Sequence, residues 1–206
     1  MAFLCRLDVS QAQDRGILVN GVRPGVLLRL LKHEQGRAIP VPATYTFHSG
    51  DRLSLEIELA EDRFVYLLTQ SIPSSGSRGG PFNMIHPMVP ERDEALRGGI
   101  THRLPVNAVV RMNDQPGLER VVIVASRASV PDIRRRFEDS RRTTRGLGDF
   151  QTQLEDWIEK ERAGTEWTGQ RTKGLGIVTN TDGWYGAARP QGMPIVVDLV
   201  LNHNGR

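Results

Sequence analysis

The chain has 206 residues, 38% hydrophobic and 25% charged, proportions that exclude a disordered or fibrous polymer. Its net charge of +3 is modest beside 27 basic residues, of which all but three are arginine, so an anionic partner is permitted but not demanded. The single cysteine, Cys5, excludes an internal disulfide framework, and no apolar run is long enough to span a bilayer.

The opening MAFLCRLDVS lacks the apolar core of a signal peptide. The cytoplasm is therefore the default expectation, or the cell envelope if the chain is an excised domain. GVLLRLLKHE, held between Pro24-Gly25 and Gly36, reads as a strand, and TYTF as a short one. In RLSLEIELA, Leu53, Leu55, Ile57 and Leu59 alternate with polar residues, a clean period of two. RFVYLLTQ is apolar on both faces and suits an interior strand, with Glu61 and Asp62 where a hairpin loop would fall. SIPSSGSRGGPFN reads as an exposed loop. MIHP, HRLPV and AVVRMND follow, then the QPGLE turn and RVVIVAS, a strand buried on both faces.

The character changes after Ser129. VPDIRRRFEDSRR predicts a helix broken at Gly146 and Gly148. DFQTQLEDWIEKERAG predicts a second, N-capped by Asp149 and stopped at Gly164. GIVTNTDGWYGAA predicts a hairpin turning at Asp182-Gly183. MPIVVDLVLNH alternates again, with Ile195, Val197, Leu199 and Leu201 on one face. The expected fold is α+β but mostly β: an antiparallel β-sandwich, immunoglobulin-like or jelly-roll-like, with a two-helix insertion before the last strands. The expected organisation is a single domain over 1–206. Its β-rich core covers about 22–130 and 174–203, and its helical insertion about 131–164.

YTFHSGDRLSLEIEL, RFVYLLTQ, NMIHP, LRGGITHRLP and QPGLERVVIVASRASVPDI together resemble a bacterial domain family of unknown function. The shared pattern is a Phe and a Gly-Asp turn, a Tyr-bearing strand, an apolar pair before proline, and a Pro-Gly-x-Glu turn entering a strand. The resemblance implies an accessory or ligand-binding module of the kind found in envelope lipoproteins, or fused to caspase-like peptidases and protein kinases. It carries no catalytic residues with it, and this chain has NMIHP where LFP is usual.

Chemistry-bearing motifs are sparse. Asp51, Glu61 and Asp62 read as turn acids, and Glu56 and Glu58 as a solvated strand face. None of the five histidines falls in a zinc spacing, although His86 and His102 lie in segments that could meet. No nucleophile elbow or phosphate loop occurs, so no catalytic residue, metal or cofactor is expected. The candidate partner-binding residues are Arg134, Arg135, Arg141, Arg142 and Arg145, with Trp167, Trp184 and Tyr185 as a recognition surface. Aromatics are not interleaved with these arginines, so nucleic acid is not expected. The expected function is a non-catalytic protein-interaction or scaffold module of a bacterial assembly. The alternative is a domain sensing a small molecule or glycan.

Overall fold

The structure is a computed structural model that describes residues 25–73, 79–87, 94–130, 133, 146–163, 165–167, 184–189 and 193–205, with the backbone alone at 146–151 and 166–167. Among these residues there are two sheets and one helix. The first sheet is centred on β1 (Val26–Glu34) and β4 (Arg52–Leu59), antiparallel to each other. On its other edge β1 pairs with β2 (Arg37–Val41) and, end to end with it, β11 (Tyr185–Ala188), which pairs in turn with β10 (Glu166–Trp167). The outer edge of β4 is shared by β7 (Thr101–Leu104) and β8 (Val110–Arg111). The second sheet runs β3 (Thr46–His48), β12 (Ile195–Asn204), β9 (Gly117–Ser126), β5 (Phe64–Pro73) and β6 (Asn83–His86). All its pairings are antiparallel except β3 with β12.

The period of two decides which side chains meet. Val26, Leu28 and Leu30 on β1 and Leu53, Leu55, Ile57 and Leu59 on β4 face Val65, Leu67, Val121, Ile123 and the β12 series Ile195, Val197, Leu199 and Leu201. Each such side chain contributes about 1.5–3 kcal/mol on burial, against about 0–1 for an exposed ion pair, so this layer holds the sheets together. The expected sandwich and its strands in GVLLRLLKHE, TYTF, RLSLEIELA, RVVIVAS and MPIVVDLVLNH are all present.

The other face of the second sheet carries Tyr66, Leu68, Val122, Val124 and Val196. It is covered by α1 (Gly146–Arg162) through Leu154 and Ile158, four residues apart on one side of the helix. The helix begins before the expected Asp149 cap and takes in Gly146 and Gly148. The expected insertion had two helices; one is described. The stretch expected to form the first lies outside the described residues except for Val130 and Ile133, which pack in the same cluster. The GIVTNT arm of the expected last hairpin also lies outside them, and β11 takes β1 and β10 as partners.

The connection between β4 and β5 is not the expected hairpin. The two strands belong to different sheets, because β4 has both edges taken by β1 and β7/β8, and β5 by β9 and β6. Residues 60–63 cross from one sheet to the other and are pinned by the segment 96–99. Arg63 and Leu96 exchange backbone hydrogen bonds at 3.0 and 2.7 Å, and Asp62 accepts the Gly98 N–H at 2.8 Å. A Cβ on Gly98 would lie 2.5 Å from Glu61 Cα, so only glycine permits that approach. Glu61 closes the crossing by pairing with Arg63 and Arg127, each at 2.6 Å.

Candidate functional site

Along the inner face of the second sheet the residues change from apolar to polar at one end. On β5, Val65 and Leu67 give way to Thr69 and Ser71; on β9, Ile123 and Val121 lead to Glu119; on β12, Leu199 and Leu201 lead to His203. The antiparallel register aligns these changes, with Ser71 opposite Glu119 and Glu119 opposite Leu201. The facing wall, from the first sheet and the segment after it, stays apolar, with Leu53, Leu55, Leu104 and Met112. Between the walls lies a cavity of about 230 Å³, floored by leucines and Val121 and rimmed by Thr69, Ser71, Asn83, Arg111, Asn113 and Glu119.

Ser71 Oγ lies 2.9 Å from both oxygens of Glu119, and Asn113 Nδ2 reaches Ser71 Oγ at 3.5 Å. Behind the carboxylate sits His203, whose side chain is fully buried. Its Nδ1 is 3.9 Å from Glu119 Oε1 and hydrogen-bonds nothing among the described residues, while its Nε2 is 3.4 Å from Ser49 Oγ. No lysine or arginine among the described residues pairs with Glu119. Burial pushes its carboxyl above the ordinary value of 4.5, against the opposing effects of the Ser71 hydrogen bond and the His203 charge.

Ser49, His203 and Glu119 follow the order of a nucleophile, base and orienting acid. Both gaps, however, exceed the ~2.6–3.2 Å of a working relay, and neither Ser49 nor His203 reaches the cavity surface. The cavity presents one under-compensated carboxylate, the Arg111 edge, neutral hydrogen-bonding groups and an apolar floor.

The pH dependence follows from the raised Glu119. A group whose folded-state pKa is raised contributes stability that is complete below its unfolded value and is lost as pH rises through the folded value. Glu119→Gln should therefore gain on wild type as pH climbs from 4.5 towards neutrality. The gain should be on the order of 1 kcal/mol at neutral pH. Urea unfolding at acid and neutral pH measures it, and a difference that does not change with pH would contradict the assignment.

The sequence-derived candidates are placed differently. Trp184 and Tyr185 do not form a recognition surface: both are buried, at 1% and 2% exposure. Trp184 packs on Leu27 beneath the Arg29 guanidinium, 4.7 Å from the ring centre, and the Tyr185 hydroxyl accepts the Ala43 N–H at 2.7 Å. Trp167 belongs to β10, with its backbone opposite Ala187. Arg134, Arg135, Arg141, Arg142 and Arg145 lie outside the described residues. His86 and His102 sit on strands of different sheets, and no group of three metal-ligating side chains exists among the described residues.

The acids between residues 51 and 62 divide. Asp51 is a turn acid, accepting the His48 N–H at 2.9 Å. Glu56 and Glu58 are not solvated: they are 8% and 1% exposed. Glu56 is clamped by Arg29 and by Arg103, whose Nη2 lies 2.9 Å from Oε1. Burial alone would raise its carboxyl, but the two guanidinium partners outweigh that and hold it below the ordinary range. Sequence reasoning missed Ser71, Glu119 and His203, although the switch from apolar to polar on one strand face at Thr69, Ser71 and His203 was a readable signal.

The molecule is thus a two-sheet sandwich with a polar-ended cavity between the sheets, and no helix among the described residues is long and apolar enough to cross a membrane. No family model matches the chain, and no curated protein or solved structure does either.

Proposed function

We propose that the protein is a non-catalytic binding module whose ligand is a small molecule with an apolar body and a cationic or hydrogen-donating head. The observation that carries this reading is the Glu119 carboxylate, set at the polar end of an apolar cavity and, among the described residues, paired by no lysine or arginine, Arg111 on the rim included. A buried carboxylate is costly unless a cation or several donors compensate it. An ammonium group placed there would do so while its hydrocarbon displaced water from the leucines. The resemblance to the bacterial domain family supports an accessory role, in which ligand occupancy is passed to a linked or neighbouring peptidase, kinase or envelope assembly.

Thermal unfolding in the presence of n-hexylammonium, n-hexanol and n-hexanoate tests the reading. At tenfold its Kd a ligand stabilises by about 1.4 kcal/mol, or about 4 °C for a chain of this size. Hexylammonium is expected to give that shift, hexanol less and hexanoate none, with the amine's advantage lost in Glu119→Gln. Equal shifts from the amine and the acid, or no shift from any probe, would overturn it.

A further inference from the structure

The outer face of the first sheet carries two rows of basic side chains. In the first, Arg29, Glu56 and Arg103 are register partners across β1, β4 and β7, so one carboxylate serves two guanidiniums. In the second, His33, Arg52 and Arg111 are partners across β1, β4 and β8, and no acid stands among them. Side chains directly opposite on antiparallel strands lie within about 5.5 Å, and like charges there are destabilising. Arg52 and Arg111 are both exposed, and neither makes an ion pair among the described residues. The Arg103 side chain is 51% exposed although it reaches Glu56. The pKa of His33, in the second row, is lowered by burial and by the charges of Arg103 and Arg52, so both rows are felt at one point. The connection from β7 to β8 flanks the face with Val106 and Val109, exposed at 47% and 38%.

We propose that this face docks an extended acidic segment of a partner protein, whose carboxylates pair with Arg103 in one row and with Arg52 and Arg111 in the other. Four residues of β4 separate the rows, about 13 Å at the strand rise. That is the spacing of carboxylates at i and i+4 of an extended peptide, and an apolar residue at i+2 faces the same way, able to rest on Val106 and Val109. A single phosphate would reach only one row. A single-stranded nucleic acid would want stacking aromatics, and Trp184, whose ring lies by this face, is buried beneath Arg29. Among the described residues no strand pairs with the outer edge of β7 and β8, which leaves backbone groups to which an incoming strand can add. The face lies on the opposite side of β4 from the cavity and shares only Arg111 with its rim, so Arg52→Glu alone, which leaves the cavity lining untouched, tests the face separately.

Fluorescence anisotropy with a labelled peptide repeating Glu-Ser-Val-Ser, a matching peptide with Lys for Glu and a short single-stranded oligonucleotide tests the proposal. The acidic peptide is expected to bind with a Kd of roughly 10–100 µM at low salt, weakening sharply towards about 0.5 M salt. The double variant Arg52→Glu, Arg111→Glu should bind about tenfold more weakly. Its thermal midpoint should be no lower than that of Arg52→Ser, Arg111→Ser, which shows that the loss is not unfolding. Equal binding of wild type and the charge-reversed variant, or no binding of the acidic peptide, overturns the proposal. Tighter binding of the oligonucleotide than of the acidic peptide overturns the choice of partner.

Discussion

Replacing Asp198 with alanine is expected to cost about 4 kcal/mol and lower the thermal midpoint by about 10 °C. Asp198 projects from the helix-covered face of β12, and its side chain is only 3% exposed. Arg120 grips it with a fork, Nε to Oδ1 at 3.0 Å and Nη2 to Oδ2 at 2.7 Å, and Arg162 in the last turn of α1 adds a third bond at 3.2 Å. Arg120 is itself 12% exposed and lies over the Phe82 ring, so without Asp198 its charge stays in a poorly hydrated place. Glu159, 3.5 Å away and half-exposed, is a weak substitute. The same substitution frees one end of α1, whose Leu154 and Ile158 cover the outer cluster. Most of the cost is the stranded guanidinium rather than the net value of the pair. The double variant Asp198→Leu, Arg120→Met should therefore recover more than half of it. A double variant no more stable than Asp198→Ala would show instead that the bonds themselves carry the stability.

Asp198 and Arg120 also show where the sequence stopped being informative. The alternation in MPIVVDLVLNH placed Asp198 on the face away from the sandwich core, which is right. What covers that face depends on a helix docking from another part of the chain, and period-two patterning is silent on that. The same limit explains Glu56 and Glu58. Alternation put them opposite the leucines, and the polar identity suggested water, but both are buried there, and Arg29 and Arg103 clamp Glu56. The core strands were legible because burial on one face leaves a local signature. The β4–β5 crossing was not, since a short polar link reads alike whether it turns within a sheet or passes between two. The cavity was half legible: Thr69, Ser71 and His203 break their strands' apolar faces visibly, but only the register of β5, β9 and β12 brings them together at Glu119.

Glu56→Ala is the second substitution expected to act strongly, and it should move stability and binding in opposite directions. Glu56 accepts Arg29 Nε at 2.9 Å and Arg103 Nη2 at 2.9 Å, and Arg29 is further held over the Trp184 ring. Removing the carboxylate leaves Arg29, 23% exposed, beside other cations, at a cost of about 3 kcal/mol near neutral pH. Arg103 is half-exposed and water can rehydrate it, which keeps the cost below that of Asp198→Ala. Because the folded-state pKa of Glu56 is depressed, its contribution is present above the ordinary 4.5 and is lost as pH falls through the folded value. The gap between wild type and Glu56→Ala should therefore narrow in acid, the reverse of the Glu119→Gln gap. Glu56 is also the only acid in the two basic rows, so its removal should tighten the acidic peptide about threefold even as the fold weakens. Chemical unfolding across pH, paired with anisotropy on the same variant, reads both effects. A stability loss unchanged down to acid pH would deny Glu56 its role as the arginines' counter-ion. Peptide affinity that falls along with stability would mean that the face needs the clamp's geometry more than it needs the added charge.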